Sequence, residues 1–295
     1  MTGDGHAIIR AWLWVLLATL LFAIMFTIPK FLDGSVAAVQ VAFFRYCAGF
    51  LTIVPVFLMR RKSIRRERHP ITGYGFHILR ALMGSLSVVA IAYAVVEIPL
   101  ANAQAINMTS GMFAAIFAVL VLRERLNRFG TAAIFISLAG AVVVAEPRLD
   151  AGGQWLSFGA LAALASAVAW GVDSITLKYT STRDDPARQL CIVNGAACLL
   201  LLGPALYMWR DAPLADCLLL LAMGPIAIFG QYCNIRGFRL ANAVDLTIIR
   251  YSGIVFAVLI GIAIFDEWPN LATILGSAMI FASAFIMLRF GARHP

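Results

Sequence analysis

Ten long apolar stretches constrain this chain more than any motif it carries. They run over residues 11–31, 36–59, 78–98, 100–122, 130–146, 157–179, 187–209, 214–235, 241–264 and 271–289, separated by short polar or charged connections. About 20 apolar residues in a helix cross the roughly 30 Å hydrocarbon core of a bilayer. Backbone amides in lipid must also find partners within their own segment, so stretches of this kind fold as helices. The composition agrees: 62% of residues are hydrophobic and only 13% are charged, well outside the range of a soluble domain. The expectation is an all-α integral membrane protein with ten transmembrane helices and no separate soluble domain. Residues 1–10 are too polar, and the first apolar run too long, for a cleaved signal peptide, so that run is expected to stay as a span.

The second half of the chain repeats the first. Leu100-Ala101-Asn102-Ala103 returns 140 residues later as Leu240-Ala241-Asn242-Ala243. The stop Glu124-Arg125-Leu126-Asn127 returns as Glu267-Trp268-Pro269-Asn270, 143 residues on. Phe22-Ala23 with Lys30 is echoed by Trp170-Gly171 with Lys178, 148 residues on. These offsets divide the chain into five-helix repeats at 1–150 and 151–295. Five is odd, so the two repeats must cross the membrane in opposite directions. Transporters built on inverted repeats hold their substrate near the midplane, between the halves.

The net charge of +8 is explained by orientation rather than by nucleic acid. With a cytoplasmic N-terminus, fifteen Lys and Arg residues fall in the inner segments, among them the cluster Arg60, Arg61, Lys62, Arg65, Arg66 and Arg68, against Arg148 and Arg210 outside. This asymmetry places both termini in the cytoplasm. Cys47, Cys191, Cys198, Cys217 and Cys233 lie within or at the edge of apolar runs without metal-ligand spacing, and read as small buried hydrophobes.

Polar residues inside apolar spans are costly and therefore informative. Arg45 lies roughly 13 Å into the second span and Arg250 about 15 Å past Leu240, where a charge costs about 2.5–3.5 kcal/mol on insertion scales. Each needs a partner or a wet cavity, so each is either half of an ion pair or a binding group. Lys30 and Lys178 stand near the ends of their spans and either reach the headgroups or gate opposite mouths of a cavity. His77 is either a satisfied interfacial residue or a proton carrier. Asp245 is a candidate for proton coupling, or the partner of an arginine. Asn107 shares a helix face with Gln104 and either bridges helices or meets a ligand. Tyr93, Trp170, Gln231 and Tyr251 add aromatic and amide groups that suit either packing or a cavity wall. Gly111 with Ala115, and Gly253 with Ala257 and Gly261, are small-residue surfaces that let helices approach closely.

No catalytic pattern stands out. His-Glu-x-x-His, Gly-x-Ser-x-Gly and the phosphate-binding Gly-x-x-x-x-Gly-Lys are all missing from the sequence, which argues against an enzyme or an ATP-driven pump. Phe43-Phe44-Arg45-Tyr46, Pro99-Leu100-Ala101-Asn102-Ala103, Arg123-Glu124-Arg125-Leu126 and Asp266-Glu267-Trp268-Pro269 with Gly276 resemble the drug/metabolite transporter superfamily, specifically its EamA-type members. The resemblance covers almost the whole chain. It departs at Thr109-Ser110-Gly111 and Ser252-Gly253, where many relatives have proline.

What the resemblance implies is a secondary transporter in a bacterial inner membrane, working without cofactor or metal. Its partners would be a small-molecule substrate and the bilayer, with a homodimer as an option and no nucleic acid. Export of amino acids, aromatic or apolar ones in particular, through a hydrophobic central cavity is the expected activity. Arg45 or Arg250 would attract the carboxylate, while Trp170, Tyr93 and Tyr251 would face the apolar body. Uptake of a larger metabolite such as S-adenosylmethionine or riboflavin is the alternative within transport. A receptor or structural membrane protein is the alternative outside it.

Overall fold

A computed structural model describes residues 3–66, 73–122, 128–145, 157–181, 183–240 and 249–286. The described residues form helices and connecting turns. The first five helices are α1 (Gly3–Phe31), α2 (Ala38–Arg66), α3 (Tyr74–Glu97), α4 (Leu100–Met108) and α5 (Ser110–Leu122). They are followed by α6 (Arg128–Ala145), α7 (Phe158–Ser181), α8 (Pro186–Tyr207), α9 (Leu214–Leu240), α10 (Ser252–Phe265) and α11 (Leu271–Ile286). Seven of them, α1, α2, α3, α6, α7, α8 and α9, are long and apolar enough to cross a membrane by themselves.

The stretch 100–122, expected as one helix, is instead two. At Thr109 the hydroxyl turns back to the carbonyl of Ile106 at 2.7 Å, and the Thr109 N–H goes to the same carbonyl at 3.1 Å. Competing side-chain and tightened backbone bonds of this kind bend or break helices. In the later half the hydroxyl of Ser252, the first residue of α10, likewise bonds its i−3 carbonyl, Ile249, at 2.6 Å. Broken helices are where ligands bind in many transporters.

The helix contacts show an internal correspondence. If α1, α2 and α3 are exchanged for α7, α8 and α9, the extensive α3/α7 interface becomes the equally extensive α1/α9 interface. Under the same exchange, α2 on α9 becomes α8 on α3, while the α2/α8 and α6/α11 interfaces map onto themselves. The N-terminal part of the broken stretch, α4, also packs on α10.

Glycines permit the closest approaches. A Cβ on Gly276 would sit 2.6 Å from the carbonyl oxygen of Gly140, and one on Gly224 would sit 2.4 Å from the Ala48 carbonyl carbon. These contacts set the α6/α11 and α2/α9 separations. The outer surface is apolar, with Leu51, Phe135, Leu199 and Leu275 more than half exposed, as suits a lipid-facing surface. The interior, by contrast, buries Arg45, His77, Arg80, Gln104, Asn107, Asp184 and Gln189.

Candidate functional site

The buried polar residues surround two adjoining chambers. The larger holds ≈ 570 Å³ of space between α1, α2, α3, α7 and α9, walled by Phe22, Phe26, Tyr46, Trp170, Arg45 and Gln231 among others. The smaller, ≈ 390 Å³, is bounded by Thr19, Gln104, Met108, Arg250 and Gly253. Phe22, Phe26, Trp170 and Asn234 line both. Trp170 meets Phe22 and Phe26 edge-on, with ring centroids 6.0 and 6.1 Å away. That geometry lets the negative ring faces and positive ring edges attract.

Arg45 dominates the electrostatics of the larger chamber. It is 2% exposed, and its Nε and one terminal nitrogen are buried without a hydrogen-bond partner. Its guanidinium lies 3.9 Å from the centroid of the Tyr46 ring, a cation–π contact that offsets only part of the cost of desolvation. On the same wall, Arg80 Nε donates to Asp173 Oδ1 at 3.0 Å and a terminal Arg80 nitrogen donates to Gln189 Oε1 at 3.1 Å. Arg80 and Asp173 therefore neutralise one another, and Arg45 is left as the cation in need of an anion. Gln231 adds a buried carbonyl oxygen that lacks a donor.

The candidate residues from the sequence divide clearly in space. Arg45, Trp170 and Gln231 line the larger chamber, and Trp170 and Arg250 line the smaller. Tyr251 is buried but lines neither chamber, and it packs edge-on against Phe281 at 6.0 Å. Asn107 joins a chain between helices: its Oδ1 accepts from Ser166 Oγ at 3.1 Å, and Ser166 is 2.9 Å from Ser87 Oγ. Tyr93 is 39% exposed on α3 and outside both chambers. Asp245 lies outside the described residues.

The remaining candidates mark the two ends of the bundle. Lys30 Nζ pairs with Glu267 Oε1 at 2.5 Å and donates to the carbonyls of Val95 and Ile98 at 3.2 and 3.3 Å. Glu267 Oε2 also accepts from the first backbone N–H of α4, Leu100, at 2.9 Å, a charge-assisted bond at a helix N-terminus. At the other end His77 Nε2 lies 3.0 Å from Asp184 Oδ2, with both side chains fully buried. Lys178, the sequence counterpart of Lys30, is exposed in the last turn of α7.

Sequence reading missed the pairs Arg80–Asp173, His77–Asp184 and Lys30–Glu267. One signal was legible: Asp185-Pro186 is a helix start, and Asp185 Oδ1 does cap α8 by accepting from Ala187 N at 2.8 Å, a standard role for aspartate before an N1 proline. That cap fixes the neighbouring Asp184 beneath α3. Among the described residues no three His, Cys, Asp or Glu side chains gather closely enough to hold a metal ion.

A polytopic helical bundle with an aromatic, cationic cavity belongs to the class of membrane proteins that handle small molecules. The sequence pattern of the EamA-like transporter family matches residues 9–145 and again 157–289, and the chain belongs to that family. It is similar to the pseudopaline exporter CntI of Pseudomonas aeruginosa, with 29% identity over 281 residues spanning 94% of this chain and 95% of the relative. It is also similar to a riboflavin transporter of Vibrio cholerae, with 27% identity over 297 residues spanning 95% and 94% of the two chains. A solved crystal structure shares the fold with a TM-score of 0.61 over 96% of each chain, at 18% identity.

Proposed function

We propose that this protein is a secondary transporter that exports small carboxylate-bearing metabolites, amino acids with aromatic or apolar side chains foremost, by alternating access. The observation that carries this reading is Arg45: a guanidinium 2% exposed, without an anionic partner among the described residues, in an aromatic chamber. A substrate carboxylate would supply the missing acceptors. The substrate ammonium would find Gln231 Oε1 and Asp173, and its apolar body would lie against Phe22, Phe26 and Trp170. Direction is supported by the relative named as an exporter.

The ten-span plan fits the broken segments around Thr109 and Tyr251. In it, repeats 1–150 and 151–295 are inverted, both termini are cytoplasmic and the membrane is the bacterial inner membrane. The family pattern, matched once in each half, supports the division. Rocking one half against the other would expose the chambers alternately. Uptake of a larger metabolite is the second reading, favoured by the relative named as a riboflavin transporter and by the two chambers sharing a wall.

The test is counterflow in proteoliposomes with labelled phenylalanine and leucine. Saturable exchange is expected, and Arg45→Gln should raise KM about tenfold to a hundredfold, since a hydrogen bond to a charged group contributes about 1.5–3 kcal/mol. Arg45→Lys should recover part of the loss. Unchanged kinetics in Arg45→Gln would remove the carboxylate reading, and flux of riboflavin without flux of amino acids would favour the second one.

A further inference from the structure

Counted over the described residues, the two chambers hold more positive charge than a single carboxylate can balance. Three arginines, Arg45, Arg80 and Arg250, and one carboxylate, Asp173, line them. Arg80 and Asp173 are bonded to each other at 3.0 Å, which leaves Arg45 in one chamber and Arg250 in the other. Among the described residues Arg250 has no ion-pair partner, and none of the residues lining its chamber carries a carboxylate. Gln104, on that same chamber wall, has a buried Nε2 that donates to nothing. Among the described residues the smaller chamber thus offers a cation without a counter-ion and one unmatched amide donor.

A guanidinium without a counter-ion is destabilised by burial, fully for Arg45 and in part for the half-buried Arg250, and an incoming anion relieves that cost. A zwitterionic amino acid would relieve it at one arginine only. From this we infer that the preferred substrate carries two acidic groups on either side of an apolar or aromatic middle, one received by Arg45 and the other by Arg250 with Gln104. The middle would cross between the chambers along Phe22, Phe26 and Trp170, the aromatic residues common to both walls. This rests on the carboxylate-substrate reading and narrows it to dicarboxylates.

The experiment compares two ligands that differ by one group, phenylalanine and 4-carboxyphenylalanine, binding to the purified full chain in lipid nanodiscs by isothermal titration. The dicarboxylate is expected to bind at least tenfold more tightly. Arg250→Gln should bring the ratio of the two affinities to within about twofold, Arg250→Lys should restore much of it, and Arg45→Gln should weaken both ligands. If phenylalanine binds and its dicarboxylate binds no better, the second-anion inference falls while the carboxylate reading stands. A tenfold preference that persists in Arg250→Gln overturns the role of Arg250. Binding of neither ligand to the wild-type chain overturns both.

Discussion

Lys30 and Glu267 join the two halves of the chain at one end of the bundle, and removing that link should open that end. The side chains are 13% and 21% exposed, so the pair lies well below the accessibility of surface ion pairs, which contribute about 0–1 kcal/mol. With Nζ 2.5 Å from Oε1, and Oε2 held by the Leu100 N–H at 2.9 Å, it falls in the range of charge-assisted bonds, about 2 kcal/mol. At about 1.4 kcal/mol per tenfold, its loss would shift a closed-to-open equilibrium about thirtyfold.

Glu267→Gln tests the charge alone, because the amide oxygen can still accept from Leu100. Lys30→Met retains the aliphatic stem and deletes the ammonium. Both belong in a double-mutant cycle, read by the rate at which an impermeant thiol reagent labels Ala101→Cys in a chain whose five native cysteines have been replaced. Ala101 lines the ≈ 850 Å³ cleft beside Glu267. Each single variant should label about thirtyfold faster than the parent, and the double variant no faster than either. A coupling energy below about 0.5 kcal/mol would refute this link as a latch, since independent sites add to within that amount.

Two further outcomes concern the packing. Gly276→Ala, whose added Cβ would sit 2.5 Å from Val144 Cγ2, should cost about 1–3 kcal/mol by overpacking and lower the unfolding temperature of the detergent-solubilised protein. Gly203→Ala, with nothing within 4 Å of its Cβ, should leave that temperature unchanged or raise it. His77→Phe should reduce the yield of monodisperse protein on size-exclusion chromatography, because removing one partner of a buried hydrogen bond costs about 1–3 kcal/mol. His77→Gln, which keeps a donor, should recover part of that yield.

The sequence by itself determined the class of this protein. Long apolar runs leave the backbone no alternative to helix in lipid, and the family pattern falls twice along the chain, over 9–145 and 157–289. Arg45, Gln231 and Arg250 stood out in the sequence because charged and amide groups within apolar spans are few. Their meeting around two chambers was not legible.

Only the tertiary structure decided which face of each helix looks inward. These spans are apolar almost all round, so periodicity, which orients an amphipathic helix, is weak here. Tyr93 and Tyr251 looked equivalent in the sequence, yet one is 39% exposed and the other 5%. The partners of Arg80, His77 and Lys30 lie 93, 107 and 237 residues away along the chain, too far for any local pattern to connect them. Thr109 and Ser252 show the same limit: a hydroxyl that can bond its i−3 carbonyl is compatible with a continuous helix, and tertiary packing selects where the helix breaks.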